Sequence, residues 1–262
     1  MNSIETKLKA FSRLLNIMDD LREQCPWDKK QTFESLRHLT IEETYELGDA
    51  ILNNDLSEIK KELGDLLLHI IFYAKLGSEE NAFDIADVAN EICEKLIHRH
   101  PHIYGSISVE DEDEVKKNWE KMKLKEGKKS ILEGVPNTLP ALVKSQRVQE
   151  KAASVGFDWE NKKQVWYKFR EELKELDQAL DSKKEDAIED EFGDVLFSLI
   201  NYARFIKVNP ESALERTNKK FIKRFQHIES MAKKSNRSIE NLTLVEMESY
   251  WKQAKNQSIS DS

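Results

Sequence analysis

The feature that most restricts the fold of this chain is a repeat that covers most of its length. The acidic segment IEETYELGDA at residues 41 to 50 returns as REELKELDQA at residues 170 to 179, with each matching glutamate shifted by 129 positions. The same shift relates KELGDLLLHIIFYA to DEFGDVLFSLINYA. A repeat of this length predicts two homologous halves, each able to form a domain. We place the boundary in GVPNTLP, where two prolines interrupt any helix, which gives domains at residues 1 to 135 and 136 to 262.

Composition and hydrophobic periodicity predict helices in both halves. The 262 residues include only 8 Gly and 5 Pro, and 34% of them are charged, which disfavours a turn-rich β architecture. FESLRHLTIEETYELGDAIL and IKKELGDLLLHIIFYAKLG read as two helices around the polar turn NNDLSE, with the second helix ending at Gly77. The second half repeats this hairpin and adds a helix after Pro210. The predicted fold class is therefore all-α, with two tandem domains of the four-helix-bundle type.

A single helical hairpin buries too little apolar surface to form a bundle by itself. We expect the same hairpin of a second chain to complete each bundle, which would make the protein a homodimer with two-fold symmetry. Pairing of the two halves within one chain is the alternative.

Bulk properties argue against several classes of function. A formal charge of −8 disfavours a nucleic-acid-binding surface. Only Cys25 and Cys93 occur, and the N-terminal segment lacks the apolar core of a signal peptide, so we expect a protein of the reducing cytoplasm. The longest apolar run, LLLHIIFYA, is about half the length of a membrane-spanning helix, so no membrane partner is expected.

The repeated acidic residues have the spacing of a metal site. On helices, Glu43 and Glu46 share one face, and Glu62 and Asp65 share a face of the next helix. The equivalent set in the second half is Glu172, Glu175, Glu191 and Asp194. Carboxylates beside apolar residues repel one another unless cations or protons compensate them, and hard oxygen ligands suit Mg²⁺, with Mn²⁺ as a substitute. A single motif of this kind is more often a solvated surface, and its duplication favours metal.

The pattern EExxE, fifteen residues, then ExxD resembles the signature of the MazG family of nucleoside triphosphate pyrophosphohydrolases. CPWDKKQT, RHPHIYG, LPALVKSQRVQEKAASVGFDW and MESYWKQAK also resemble the two-domain bacterial form, so the resemblance covers nearly the whole chain. It implies Mg²⁺-dependent hydrolysis of NTPs and dNTPs, with broad base tolerance, to the monophosphate and pyrophosphate. Water would attack the α-phosphorus, and the lack of a Gly-rich P-loop argues against the γ-phosphate chemistry of ordinary NTPases.

The resemblance also implies roles for single residues and assigns catalysis to the second half. Glu171 and Glu172 are the catalytic residues, and Glu171 orients or deprotonates water or touches the nucleotide. The metal ligands are Glu172, Glu175, Glu191 and Asp194. The nucleotide-binding residues are Lys168, Glu171, Lys220, Arg224, Trp251 and Lys255, with a place in the core as the equal alternative for Trp251.

Two positions depart from the pattern of the family. The first half keeps the metal-type residues Glu43, Glu46, Glu62 and Asp65, but Leu39 stands at the equivalent of Lys168. Phosphate binding should therefore be weaker there, and we expect the first half to be non-catalytic. In the second half, Ala187 occupies a position where MazG relatives carry a nucleotide-binding lysine. Either Lys183 or Lys184 substitutes for it, or the affinity for the nucleotide is lower.

Other interpretations stay open at this level. A narrow dUTP or phosphoribosyl-ATP pyrophosphohydrolase shares the acidic motif, and a non-enzymatic helical interaction module would need no metal. HRHPH at residues 98 to 102 has three histidines, but Pro101 interrupts it, which favours a turn at a helix end over a zinc site. EDEDE at residues 110 to 114 is predicted to be a solvated linker.

Overall fold

The structure is a computed structural model, and it describes residues 1–105, 115 and 130–260, with the side chains of residues 257–260 left aside. The chain divides into a first unit, Met1–Asp111, and a second unit, Glu112–Ser262. All regular elements of the described residues are α-helices or short 3₁₀ helices, which confirms the all-α prediction. None of the described helices is both long enough and apolar enough to cross a bilayer.

The first unit is built around a helical hairpin. Its helices are α1 (Ile4–Gln24), α2 (Phe33–Leu52), α3 (Leu56–Glu79), α4 (Ile85–Arg99) and the short α5 (Pro101–Tyr104). Helices α2 and α3 pack side by side, and α1 and α4 both contact α3. The core consists of Met18, Leu36, Ile71, Phe72 and Leu76, which join α1, α2 and α3. The acidic motif thus lies on the two helices that are held most closely together.

The second unit repeats the hairpin with different neighbours. Its helices are α6 (Ala141–Ser154), α7 (Lys162–Ser182), α8 (Glu185–Phe205), α9 (Pro210–Lys234) and α10 (Leu244–Ser260). Helices α7 and α8 form the hairpin, and α6 packs against both α8 and α9. A separate cluster of Ile228, Ala232 and Leu242 receives Met247, Tyr250 and Trp251 of α10, which holds α10 on α9. Each hairpin is therefore supported by at least one further helix of its own unit.

The prediction that the second helix ends at Gly77 is wrong. Helix α3 continues to Glu79 and is capped at Glu80. Gly77 is needed for packing, because a Cβ built there would lie 2.7 Å from the ring of Phe83. The glycine leaves room for that ring on the helix surface. In the sequence, a glycine kept for packing looks the same as a glycine that ends a helix.

The ends of the two units bear on the domain boundary. Residues next to GVPNTLP belong to the packing of the second unit, since Lys151 Nζ donates a hydrogen bond to the carbonyl of Ile131 at 3.1 Å. The boundary near residue 136 stays a prediction, and the predicted linker at residues 110 to 114 lies outside the described residues. The histidine-rich segment does coincide with a helix end, because α4 stops at Arg99 and Pro101 begins α5.

Candidate active site

The α7–α8 hairpin brings three carboxylates of the second unit together. Glu172 and Glu175 are neighbours on one face of α7, and Glu191 faces them from α8. One ligand oxygen of each residue can be chosen so that all three lie within 4.8 Å of one another. Glu172 is 6% exposed, whereas Glu175 and Glu191 are half-buried. Such a cluster offers several hard oxygens to a divalent cation and leaves one side open to a ligand.

The crowding of these carboxylates affects the protonation of Glu175. The pKa of Glu175 is raised, mainly because it shares a hydrogen bond with Glu172 and also because of partial desolvation and the nearby negative charges. Lys168 compensates part of this charge, since its Nζ lies 2.8 Å from Glu172 and 2.9 Å from Glu171. Those two contacts raise the pKa of Lys168 above its usual range, so it is fully charged at neutral pH.

A cavity of about 610 Å³ adjoins this cluster within the second unit. Lys168, Glu172 and Asp194 form part of its wall. The predicted fourth metal ligand, Asp194, thus shares the cavity wall with Glu172, but it does not belong to the group of three carboxylates whose oxygens converge. Glu171 is exposed on α7 and is held by Lys168. The volume is in the range of small-molecule sites. The cavity and the carboxylates together form one candidate site.

The corresponding residues of the first unit also converge. Glu43, Glu46 and Glu62 can place one oxygen each within 4.8 Å of the others. Burial raises the pKa of Glu43, with further contributions from Asp65, Glu46 and Glu62. The surroundings differ from those of the second unit, because His69 replaces Ser198 and its Nδ1 lies 2.7 Å from Thr40 Oγ1.

The remaining predicted nucleotide-binding residues occupy a different surface. Lys220 and Arg224 lie on α9, and Trp251 and Lys255 lie on α10. The structure brings Arg224 and Trp251 together, with the guanidinium carbon 5.4 Å from the ring centroid. Trp251 also packs against the Ile228 cluster and lies 5.1 Å from Phe221. These four are not among the described residues that line the cavity.

Ala187, which stands where the family pattern has a lysine, lies close to the turn between α7 and α8. Ala187 lies in the first turn of α8. Lys183 takes a left-handed backbone conformation with φ of 55° at the end of α7, and Lys184 is the residue just before α8. Both lysines are exposed in the turn between the helices. Their substitution for the family lysine stays a prediction.

Sequence reasoning did not single out the part of the cavity that α6 and the α6–α7 turn provide. Gln149, Phe157, Asp158 and Trp159 all line it, and so does Arg204 of α8. Gly156, with φ of +90°, allows the chain to turn sharply out of α6 into these residues. The segment VQEKAASVGFDW was visible as a part of the family resemblance, but it carried no periodic or charge pattern that points to a pocket.

Comparison with known proteins assigns the chain to a family. The model of the MazG nucleotide pyrophosphohydrolase domain matches residues 31–104 and again residues 161–229. The chain belongs to the MazG family. The resemblance and the tandem arrangement of two MazG units are thereby confirmed.

Three relatives match most of this chain. A nucleoside triphosphate pyrophosphohydrolase/pyrophosphatase MazG from Thermotoga maritima is 44% identical over 250 residues, which cover 94% of this chain and 95% of that protein. A nucleoside triphosphate pyrophosphohydrolase from Escherichia coli K12 is 39% identical over 264 residues, 96% of this chain and 99% of the relative. The longer protein YabN from Bacillus subtilis is 44% identical over 251 residues, 94% of this chain and 51% of its own length. The prediction of an enzyme of the MazG family is thereby confirmed.

Proposed function

We propose that the second unit hydrolyses NTPs and dNTPs, with broad base tolerance, to the nucleoside monophosphate and pyrophosphate. The observation that carries this proposal is that Glu172, Glu175 and Glu191 can place one oxygen each within 4.8 Å of the others, next to a cavity that Glu172, Lys168 and Asp194 line. Membership in the MazG family supports the reaction, and the activity printed for the relatives from Thermotoga maritima and Escherichia coli supports the substrate class.

The residues present fit a divalent cation with oxygen ligands. The cluster contains only carboxylates. The pKa of Glu175 is raised first by its hydrogen bond with Glu172, then by desolvation and by the nearby negative charge, and a cation would relieve that charge. Mg²⁺ suits this set, and Mn²⁺ is the expected substitute. We propose Glu172, Glu175, Glu191 and Asp194 as its ligands.

Each side chain then has a defined task. Bound Mg²⁺ would let the triphosphate approach the carboxylates and would make a water molecule more acidic. Lys168 and Glu172 both line the cavity. Lys168 can therefore leave Glu172 and turn its ammonium towards the phosphates of a bound nucleotide. Glu171 is exposed next to Lys168 and can orient or deprotonate the attacking water. Lys220, Arg224, Trp251 and Lys255 remain proposed nucleotide contacts on the strength of the family resemblance.

A panel of the eight common NTPs and dNTPs tests the proposed function. We expect the purified protein to release pyrophosphate from several of them in Mg²⁺ or Mn²⁺, and to stop when the metal is removed with EDTA. Addition of Mg²⁺ should also raise the melting temperature, because a cation that binds the folded carboxylate cluster stabilises that state.

Two results of this panel would reject the proposal in different ways. A single productive substrate would favour a narrow pyrophosphohydrolase, such as one for dUTP, over broad specificity. No pyrophosphate from any nucleotide, together with no effect of Mg²⁺ on melting or on nucleotide binding, would favour a helical interaction module.

We propose in addition that the protein is a homodimer. On α8 the side chains of Phe192, Leu196 and Leu199 follow an i, i+4, i+7 pattern and remain exposed, with Phe192 54% accessible. A contiguous apolar face of this kind is typical of a surface that another chain covers.

Light scattering measures the oligomeric state directly. We expect twice the chain mass of 30.6 kDa at micromolar concentration, and a shift towards the monomer when Leu196→Asp places a charge on the apolar face. A mass of one chain for the wild-type protein would exclude the dimer and leave pairing within one chain as the explanation.

A further inference from the structure

The cavity beside the carboxylates extends well beyond the space that a metal and phosphates need. Its wall follows α8 from Asp194 through Ser198 and Asn201 to Arg204. The ten residue steps from Asp194 to Arg204 correspond to ~15 Å along the helix axis. Phosphates held at the Asp194 end would therefore direct the nucleoside along α8 towards Arg204.

At the Arg204 end of the cavity, the positive charge of Arg204 is paired with the carboxylate of Asp158. Arg204 Nη1 donates a hydrogen bond to Asp158 at 2.8 Å, and Nη2 binds the other oxygen of the same carboxylate. Its Nε and Nη2 also donate to Asn201 Oδ1 at 3.2 and 2.9 Å. A guanidinium engaged in this way does not attract a phosphate, so this end suits the neutral part of a nucleotide.

Gln149 is a buried wall residue with one unused hydrogen-bonding atom. The side chain is 6% exposed, and its Nε2 donates to the carbonyl of Phe197 at 2.9 Å. Because a carbonyl only accepts, this contact fixes which end of the amide is the nitrogen. Its Oε1 is buried and has no hydrogen-bond partner among the residues that the structure describes. Buried acceptors are seldom left unpaired, so Gln149 Oε1 is a candidate acceptor for a hydrogen bond from a bound ligand.

Aromatic residues complete this part of the cavity. Phe157 lines it although it is 82% exposed, and Trp159 and Phe197 line it as well. Aromatic rings at the entrance of a neutral pocket offer flat apolar surface on which a nucleobase can stack.

We propose that the part of the cavity between Phe197 and Arg204 holds the nucleobase and that Gln149 Oε1 accepts a hydrogen bond from its Watson–Crick edge. The inference rests on the proposed function and adds to it a residue that contacts the base. Adenine and cytosine present an amino N–H on this edge, and guanine, uracil and thymine present a ring N–H. A fixed acceptor can therefore bind all five bases, which gives a physical reason for broad base tolerance.

A comparison of ATP with an analogue that lacks the 6-amino group tests this contact. Purine riboside triphosphate lacks the 6-amino group of ATP and has no N–H on the Watson–Crick edge. We expect the wild-type protein to show a kcat/KM about 3- to 10-fold higher for ATP, the effect of one neutral hydrogen bond. In Gln149→Met this preference should disappear, because the acceptor is gone. A purely structural role for Gln149 would instead lower kcat/KM for both nucleotides equally.

Gln146→Met is the matched control. Gln146 lies on the same helix, donates to Glu150 at 2.9 Å and is not among the residues that line the cavity. It should keep the wild-type preference for ATP. If Gln149→Met does not fold, N⁶-methyl-ATP and N⁶,N⁶-dimethyl-ATP decide the question with wild-type protein, since only the first retains an N–H. We expect the dimethyl compound to match purine riboside triphosphate.

The outcomes separate the two proposals. Absence of AMP and pyrophosphate from ATP rejects the proposed function, and the inference with it. Formation of both products, with equal kcat/KM for nucleotides that have and lack the N–H, rejects only the role of Gln149. A preference for ATP that survives in Gln149→Met rejects it as well.

Discussion

Replacement of Glu172 by glutamine is expected to lower kcat for any productive nucleotide by about 100-fold or more, because it removes a proposed ligand of a metal ion that would stabilise the transition state by several kcal/mol. Glutamine has the shape of the buried glutamate and its carbonyl can still accept from Lys168, so the hairpin should remain folded. Steady-state pyrophosphate release at saturating Mg²⁺ measures the loss, and circular dichroism checks the fold.

Glu43→Gln is the matched control for this experiment. Glu43 occupies the equivalent position in the first unit, 129 residues earlier, and belongs to a carboxylate cluster of the same dimensions. The first unit has Leu39 at the equivalent of Lys168, and the buried His69 there is bound to Thr40. We therefore expect kcat to change less than about twofold. Equal losses from the two substitutions would mean that both halves contribute to catalysis.

Lys168→Leu is expected to raise KM for nucleoside triphosphates by about 10- to 100-fold, which is the range of a hydrogen bond to a charged group. The change gives the second unit the residue that the first unit carries at this position. Lys168 is the cation of the cavity wall that touches the carboxylate cluster, so its loss removes positive charge where the phosphates are expected. KM and kcat should be determined separately, because a binding role acts mainly on KM.

Lys174→Leu provides the comparison for this prediction. Lys174 is an exposed lysine on the same helix, and the cavity lining described here does not include it. The substitution alters the net charge by the same amount, so it reports any general electrostatic effect. A similar rise of KM in both variants would remove Lys168 from the site.

The hairpins could be predicted from the sequence because their signals are local and repeated. The predicted helix FESLRHLTIEETYELGDAIL coincides with α2, Phe33–Leu52. The carboxylate cluster could also be predicted from its spacing, since residues three apart share one helix face and a short turn brings the next helix alongside it. The predicted neighbours Glu172, Glu175 and Glu191 do converge in the structure.

The rest of the site depends on contacts between residues distant in sequence. Gln149 meets the carbonyl of Phe197 across 48 positions, and Asp158 meets Arg204 across 46. No period or motif spacing encodes such contacts, because they arise from the packing of α6 on the hairpin. Gly77 is a case in which a local signal was misleading. The glycine suggested a helix end, but it is needed because the ring of Phe83 occupies the space of its missing side chain.

We propose that the carboxylate cluster of the second unit directs water to the α-phosphorus. This attack can be followed by hydrolysis of ATP in ¹⁸O-labelled water with Mg²⁺, read by mass spectrometry. We expect the label in AMP and unlabelled pyrophosphate. Label in orthophosphate, with ADP as the other product, would show attack on the γ-phosphorus and would rule out the proposed reaction.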